Sequence, residues 1–159
     1  MAKILVSACL LGHEVRYDGG DLAVGDPRFR ALQDIHQLVP FCPEVASGLP
    51  TPRAPAEITN GDGRAVLSGH ARIIDTDRHD LTENFLTGAR LALAQCQAEQ
   101  IEFAILAEKS PSCGSNVIYD GSFTGTRVPG VGCTTALLRE NGIKVFSQND
   151  IDDLVTMLP

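Results

Sequence analysis

Phe103-Ala-Ile-Leu-Ala-Glu-Lys-Ser-Pro-Ser-Cys-Gly-Ser-Asn116 decides how the rest of the chain is read, because an apolar run stops there and hands over to small, polar and sulfur-bearing residues. An alternating apolar segment closed by the turn residues Pro111 and Gly114 reads as a strand running into a loop, not as a continuing helix. In open α/β sheets, ligands sit beyond the carboxyl ends of the strands, so Cys113 falls where a site is expected. Two more cysteines share that context. Cys9 follows Lys3-Ile-Leu-Val-Ser-Ala8, and Cys42 follows Leu38-Val-Pro-Phe41. If these three strands are parallel neighbours, their ends bring three thiols to one edge.

Working outward, Asp26 is an N-cap with Pro27 at the first helical position, and Phe29, Leu32, Ile35 and Leu38 recur at helical spacing. Val39-Pro-Phe-Cys42 reads as a short strand. The segment 43–55 carries four prolines in thirteen residues and reads as an extended, stiff loop. Residues 64–68 and 71–75 flank Gly69 and predict a small β-hairpin beside the main sheet. Asp80 or Thr82 caps a long helix to about Ala98, with Phe85, Leu86, Ala89, Leu93 and Cys96 on one face. Beyond the strand 101–107, the segment 117–127 is rich in turn residues and reads as irregular. A helix over 131–140 ends at Asn141-Gly142, a last strand covers 143–146, and Asn149 or Asp150 caps a final helix over 151–158. Strands alternating with helices predict a Rossmann-like or flavodoxin-like α/β fold, three layers (α/β/α) around a mainly parallel sheet. No repeat, low-complexity tract or linker divides it, so residues 1–159 read as a single α/β domain.

A chain of 159 residues, 43% hydrophobic and 21% charged, buries a substantial core without disulfide or metal staples. Its formal net charge of -7 argues against nucleic acid and anionic membranes as partners and leaves a small molecule. Neither a signal peptide nor an apolar run of membrane-spanning length is visible, which points to a cytoplasmic protein. Nothing in the sequence fixes the oligomeric state. Five cysteines are an odd count for a secreted disulfide framework. In a reducing compartment such cysteines are buried, catalytic or metal-binding.

Three thiolates at strand ends suit an iron-sulfur cluster or another soft metal. None belongs to a Cys-x-x-Cys pair, and each also fits a small buried hydrophobe. Cys96, on a helix face, and Cys133, near a helix start, read as packing residues. Gly12, Gly19 and Gly20 match neither the dinucleotide fingerprint nor the Gly-Lys-Ser/Thr signature, so no nucleotide cofactor is assigned. A helix starting near Gly114 or Val131 would still offer N–H groups to an anion. His13, His36, His70 and His79 fall in no ligand-like spacing and read as surface residues.

Taken together, Val6-Ser-Ala-Cys-Leu-Leu-Gly12, Val15-Arg-Tyr-Asp-Gly19, Cys42-Pro-Glu-Val45, Gly48-Leu-Pro-Thr-Pro-Arg53, Lys109-Ser-Pro-Ser-Cys-Gly114 and Tyr119-Asp-Gly121 resemble the 2-thiouracil desulfurase family, long catalogued as a domain of unknown function. The resemblance covers nearly the whole chain, with one departure: Ala46-Ser47 stands where the family has a glycine-richer turn. It implies a [4Fe-4S] cluster held by Cys9, Cys42 and Cys113, with the fourth iron open to the sulfur of a thiolated heterocycle such as 2-thiouracil. An open iron polarises a C=S bond toward water, and no net electron transfer is required.

Such chemistry needs a proton carrier. Glu44, two residues after Cys42, fits a general acid or base, or a carboxylate tied to the loop backbone. Ser110 and Ser112 fit groups that orient water or bind a substrate heteroatom, or plain turn formers. Lys109 and Arg53 fit anion binding and cluster-charge compensation, or salt bridges to Glu108 and Glu57. Arg16, Tyr17 and Asp18 line a mouth or form a capped turn. Two other readings keep the same residues: a cluster-free sulfurtransferase or thiol redox enzyme with Cys113 as nucleophile, and a structural metal or ligand-sensing module.

Overall fold

Four parallel strands form the central sheet in the computed structural model, which describes residues 1–20 and 23–158. They are β1 (Lys3–Ser7), β2 (Gln37–Phe41), β5 (Phe103–Ile105) and β8 (Lys144–Phe146), in the order β2-β1-β5-β8. The register sets Ser7 beside Phe41 and Val6 beside Ile105, so β1, β2 and β5 end at nearly the same level. After β1 the chain adds β2 on one flank and then crosses to the other for β5. The strand order therefore reverses at β1/β5, the place where open α/β sheets bind ligands.

Both faces of the sheet are covered, as a parallel sheet requires. Ile4, Val6, Phe103 and Ile105 point one way, onto Phe29 and Leu32 of α1 (Pro27–Ile35) and Ile151 and Leu154 of α6 (Ile151–Met157). Leu5, Ala104 and Val145 point the other way, onto Ala92 and Cys96 of α4 (Thr82–Glu99) and Leu138 of α5 (Cys133–Glu140). The period-2 alternation of these strands and the helical spacing of their partners give the expected three layers. Outside them, β3 (Ala56–Thr59) and β4 (Arg72–Asp75) pair antiparallel, and with α3 (Gly63–Leu67) they bury Ile58, Val66 and Ile73 against Phe85 and Ala89 of α4. No helix among the described residues is long and apolar enough to cross a membrane.

Several local expectations are corrected. The hairpin exists, but its first strand is 56–59. Residues 64–67 are helical because the Asp62 carboxylate caps α3, accepting the Arg64 N–H at 3.0 Å. Helix α1 is capped by Asp26 as expected and stops at Ile35, which is 62% exposed; Leu38 instead pairs with Ile4 in the sheet. Pro43 does not enforce an extended chain. It opens the one-turn helix α2 (Pro43–Ala46), since proline at a first helical position sacrifices no hydrogen bond. The segment after Asn116 is not wholly irregular either, for β6 (Val117–Tyr119) and β7 (Arg127–Pro129) form a second small hairpin.

Candidate functional site

Cys9 lies in a 3-10 turn over Ala8–Leu11 directly after β1, Cys42 caps α2 directly after β2, and Cys113 sits in the loop after β5. All three line one cavity of about 630 Å³, together with Ser7, Arg16, Tyr17, Glu44, Lys109 and Ser110. No cysteine is in a disulfide. Burial, then the neighbouring Cys42 thiol, pushes Cys9 up to about 11 against the pull of Arg16. Burial raises Cys42, and it raises Cys113 well above the ordinary thiol value, with Glu44 and Cys42 adding to it. Cys9 and Cys113 thus each sense Cys42, and burial acts on all three.

Among the described residues, the group of three or more ligand atoms that all lie within 4.8 Å of one another is Asp75, Asp77 and His79, at an exposed turn away from the three cysteines. What fits an iron-sulfur cluster is the donor set itself, three soft thiols from separate strand ends lining one cavity.

Two glycines seat the cysteine loops. A Cβ on Gly88, midway along α4, would lie 2.3 Å from the Pro43 carbonyl oxygen, so α2 docks where only hydrogen fits. A Cβ on Gly132 would lie 2.3 Å from the Ser112 carbonyl carbon, which brings the Cys113 loop onto the start of α5. There the Cys133 and Thr134 N–H groups donate to Pro111 and Ser112 carbonyls at 2.8 and 2.9 Å, and Thr135 Oγ1 donates to the Cys113 carbonyl at 2.9 Å. These amides are engaged, which removes the anion site expected near Val131.

Ser110 Oγ accepts the N–H groups of Ser112 and Cys113, each at 3.0 Å, and lines the cavity. Ser112 does not line it: the side chain is fully buried, with its hydroxyl 2.7 Å from Thr134 Oγ1. Glu108 closes the loop from outside, accepting from Ser115, Asn116 and Val117 N–H groups at 2.7, 2.9 and 3.1 Å. Burial alone would raise this carboxyl, but the donors of Asn116, Val117 and Ser115 outweigh it and hold the carboxyl below its ordinary value.

Glu44 pairs with Arg53, Oε2 to Nη2 at 3.4 Å, with side chains 19% and 6% exposed. Burial lifts the Glu44 carboxyl above its usual range, against the pull of Arg53 and Arg16. The alternative reading of Arg53 and Lys109, salt bridges to Glu108 or Glu57, is not what the structure shows, since Arg53 pairs with Glu44. Glu57 accepts the Gly121 N–H at 2.9 Å, while Lys109 is exposed, without a carboxylate in ion-pair range among the described residues. Arg16 lies 5.6 Å over the Tyr17 ring and 3.8 Å from Asp18, at the cavity lip.

Cys96 and Cys133 are buried packing residues, and the Cys133 thiol donates to the Phe85 carbonyl at 3.6 Å. His13, His70 and His79 are exposed; His36 is half-buried, its Nδ1 accepting the Ala2 N–H at 3.0 Å. Ser7 is a residue the sequence reading overlooked. Its hydroxyl accepts the Ala107 N–H at 2.9 Å, bridging β1 to the end of β5, and hydrogen-bonds to Cys113. A serine closing a strand two residues before a cysteine was the available signal.

Fold and site together define an α/β protein with three thiols and an acid gathered over one cavity at the strand ends. Residues 4–150 match the family described as 2-thiouracil desulfurase, and the chain belongs to that family. It is 43% identical over 152 residues to YbbK of Bacillus subtilis (strain 168), a protein described as uncharacterized, covering 96% of this chain and 99% of YbbK. A solved structure of the [4Fe-4S]-dependent thiouracil desulfidase TudS is 46% identical, with a TM-score of 0.88 over 98% of this chain and 97% of TudS.

Proposed function

We propose that this protein is an iron-sulfur enzyme that removes sulfur from a small thiolated heterocycle such as 2-thiouracil, with Cys9, Cys42 and Cys113 holding a [4Fe-4S] cluster. The observation that carries this reading is the meeting of three thiols in one cavity that Glu44 also lines. Family membership and the likeness to TudS support it. When bound through three cysteines, the cluster supplies a sulfur-seeking Lewis-acidic iron without a protein ligand.

The overall reaction exchanges C=S for C=O with water and releases hydrosulfide, so electrons balance without a nicotinamide or flavin. Glu44 moves the protons. Arg53 holds its Oε2, leaving Oε1 to exchange a proton with water or a ring nitrogen, and desolvation keeps the carboxyl protonated closer to neutral pH than an exposed one. Ser110 already accepts two N–H groups, so its own O–H remains to donate toward substrate or water in the cavity. Ser112 acts from behind, fixing Cys113 through Thr134. A cluster-free role for Cys113 as nucleophile is disfavoured, because reactive thiols have lowered pKa values and this one is buried and raised.

Anaerobically purified protein should carry about four iron and four sulfide per chain and convert 2-thiouracil to uracil. Cys9→Ala, Cys42→Ala and Cys113→Ala should each abolish iron retention and turnover. Full activity in iron-free protein would overturn the proposal.

A further inference from the structure

Arg53 lies just outside the cavity, and its surroundings assign it more than the neutralisation of one carboxylate. Its side chain is 6% exposed and is absent from the cavity lining, so it does not reach substrate directly. The guanidinium is divided between three segments. Nη2 faces Glu44 Oε2 at 3.4 Å and donates to the Val15 carbonyl at 3.1 Å, while Nη1 donates to the Pro50 carbonyl and Thr51 Oγ1, both at 3.2 Å. The Arg53 backbone N–H adds a bond to the Tyr17 carbonyl at 2.5 Å. Val15, Arg16 and Tyr17 form a lip of the cavity that Glu44 also lines.

We propose that Arg53 is a positioning residue that ties the acid Glu44 and the substrate-facing lip, residues 15–17, into one unit. This rests on the desulfurase reading for its kinetic consequences only. A planar fork suits the task, because separate Nη groups serve separate acceptors, whereas a lysine ammonium is a single point charge on a flexible stem. Loss of the fork leaves a buried carboxylate unpaired and frees the Val15 carbonyl, so both the proton carrier and the lip lose their fixed places.

The test uses iron-loaded Arg53→Gln and Arg53→Lys. In Arg53→Gln, kcat should fall about 100-fold, the scale on which small displacements of catalytic groups act, and KM should rise, with iron content unchanged. In Arg53→Lys, which restores the charge beside Glu44 but not the fork, kcat should largely recover while KM stays raised. A purely structural role would change the folded fraction and leave KM alone. Amide exchange followed by mass spectrometry reads the same coupling without turnover: residues 15–20, protected by the Arg16 and Gly19 N–H bonds, should exchange about tenfold faster in both variants. Unchanged kinetics and exchange in Arg53→Gln overturn the proposal, as does iron loss from a folded variant. If Arg53→Gln does not fold, Arg53→Lys decides by the same measures. If the wild-type enzyme leaves 2-thiouracil intact, the desulfurase reading fails and the exchange result still decides the role of Arg53.

Discussion

The loop that carries Cys113 and the turn that carries Cys42 hold their sulfurs by opposite means. The Cys113 loop is stitched at many points: Ser110 inside it, Glu108 outside it, and three α5 residues beneath it. The Cys42 turn is a single helical turn, seated by the close approach of Pro43 to Gly88. The difference assigns labour. A densely bonded loop holds its thiol through many backbone hydrogen bonds, whereas the one-turn helix holds its thiol through one close packing contact with α4.

Substitutions can break or sharpen this contrast. The largest effect is expected from Gly132→Ala. Its backbone is extended, so the cost is crowding alone, against the rigid Ser112 backbone. Stability by urea unfolding should fall by about 3 kcal/mol, and iron binding should be lost with it.

Gly88→Ala should separate the two regions. Alanine favours a helix interior by about 1 kcal/mol, which offsets part of the clash with Pro43. We expect a net loss of about 2 kcal/mol, a chain that still folds by circular dichroism, and impaired iron retention because Cys42 is displaced. An equal loss of stability in both glycine variants would erase the proposed distinction.

The smallest effect is expected from Glu108→Gln, about 1.5 kcal/mol at neutral pH, as a charge-assisted acceptor of several N–H groups becomes a neutral one. The sign with pH follows from the lowered pKa. Stability from this carboxylate is present above the unfolded value, roughly pH 4.3, and is lost as pH falls through the folded value. The wild type and Glu108→Gln should therefore converge in stability as pH falls below the ordinary carboxylate range and through the lowered folded value. Parallel curves through that window would show that Glu108 does not hold the loop.

Much of the site was legible in the chain. Apolar alternation ending in Pro111-Ser-Cys-Gly114, and its counterparts before Cys9 and Cys42, identified strand ends, because a buried parallel strand and its loop differ sharply in composition. What the sequence concealed depends on close approach between distant segments. Gly88 and Gly132 look like any helix or loop glycine until Pro43 and Ser112 arrive within contact distance. Arg53 has several acidic candidates along the chain, and only tertiary packing selects Glu44 over Glu57. Ser112 has the same chemistry as Ser110 two residues away, yet a turn sends one hydroxyl inward to Thr134. The misplaced hairpin has a local cause: Asp62 caps α3 and outcompetes the strand-like look of Ala65, Val66 and Leu67.

β2 is an outer strand of the sheet, and Pro40 stands in it opposite Val6. Proline has no N–H to lend a newcomer, and natural sheets use it in this way to discourage further chains from adding on. The strand that delivers Cys42 thus carries in its own sequence a residue that discourages a further strand from adding at this edge.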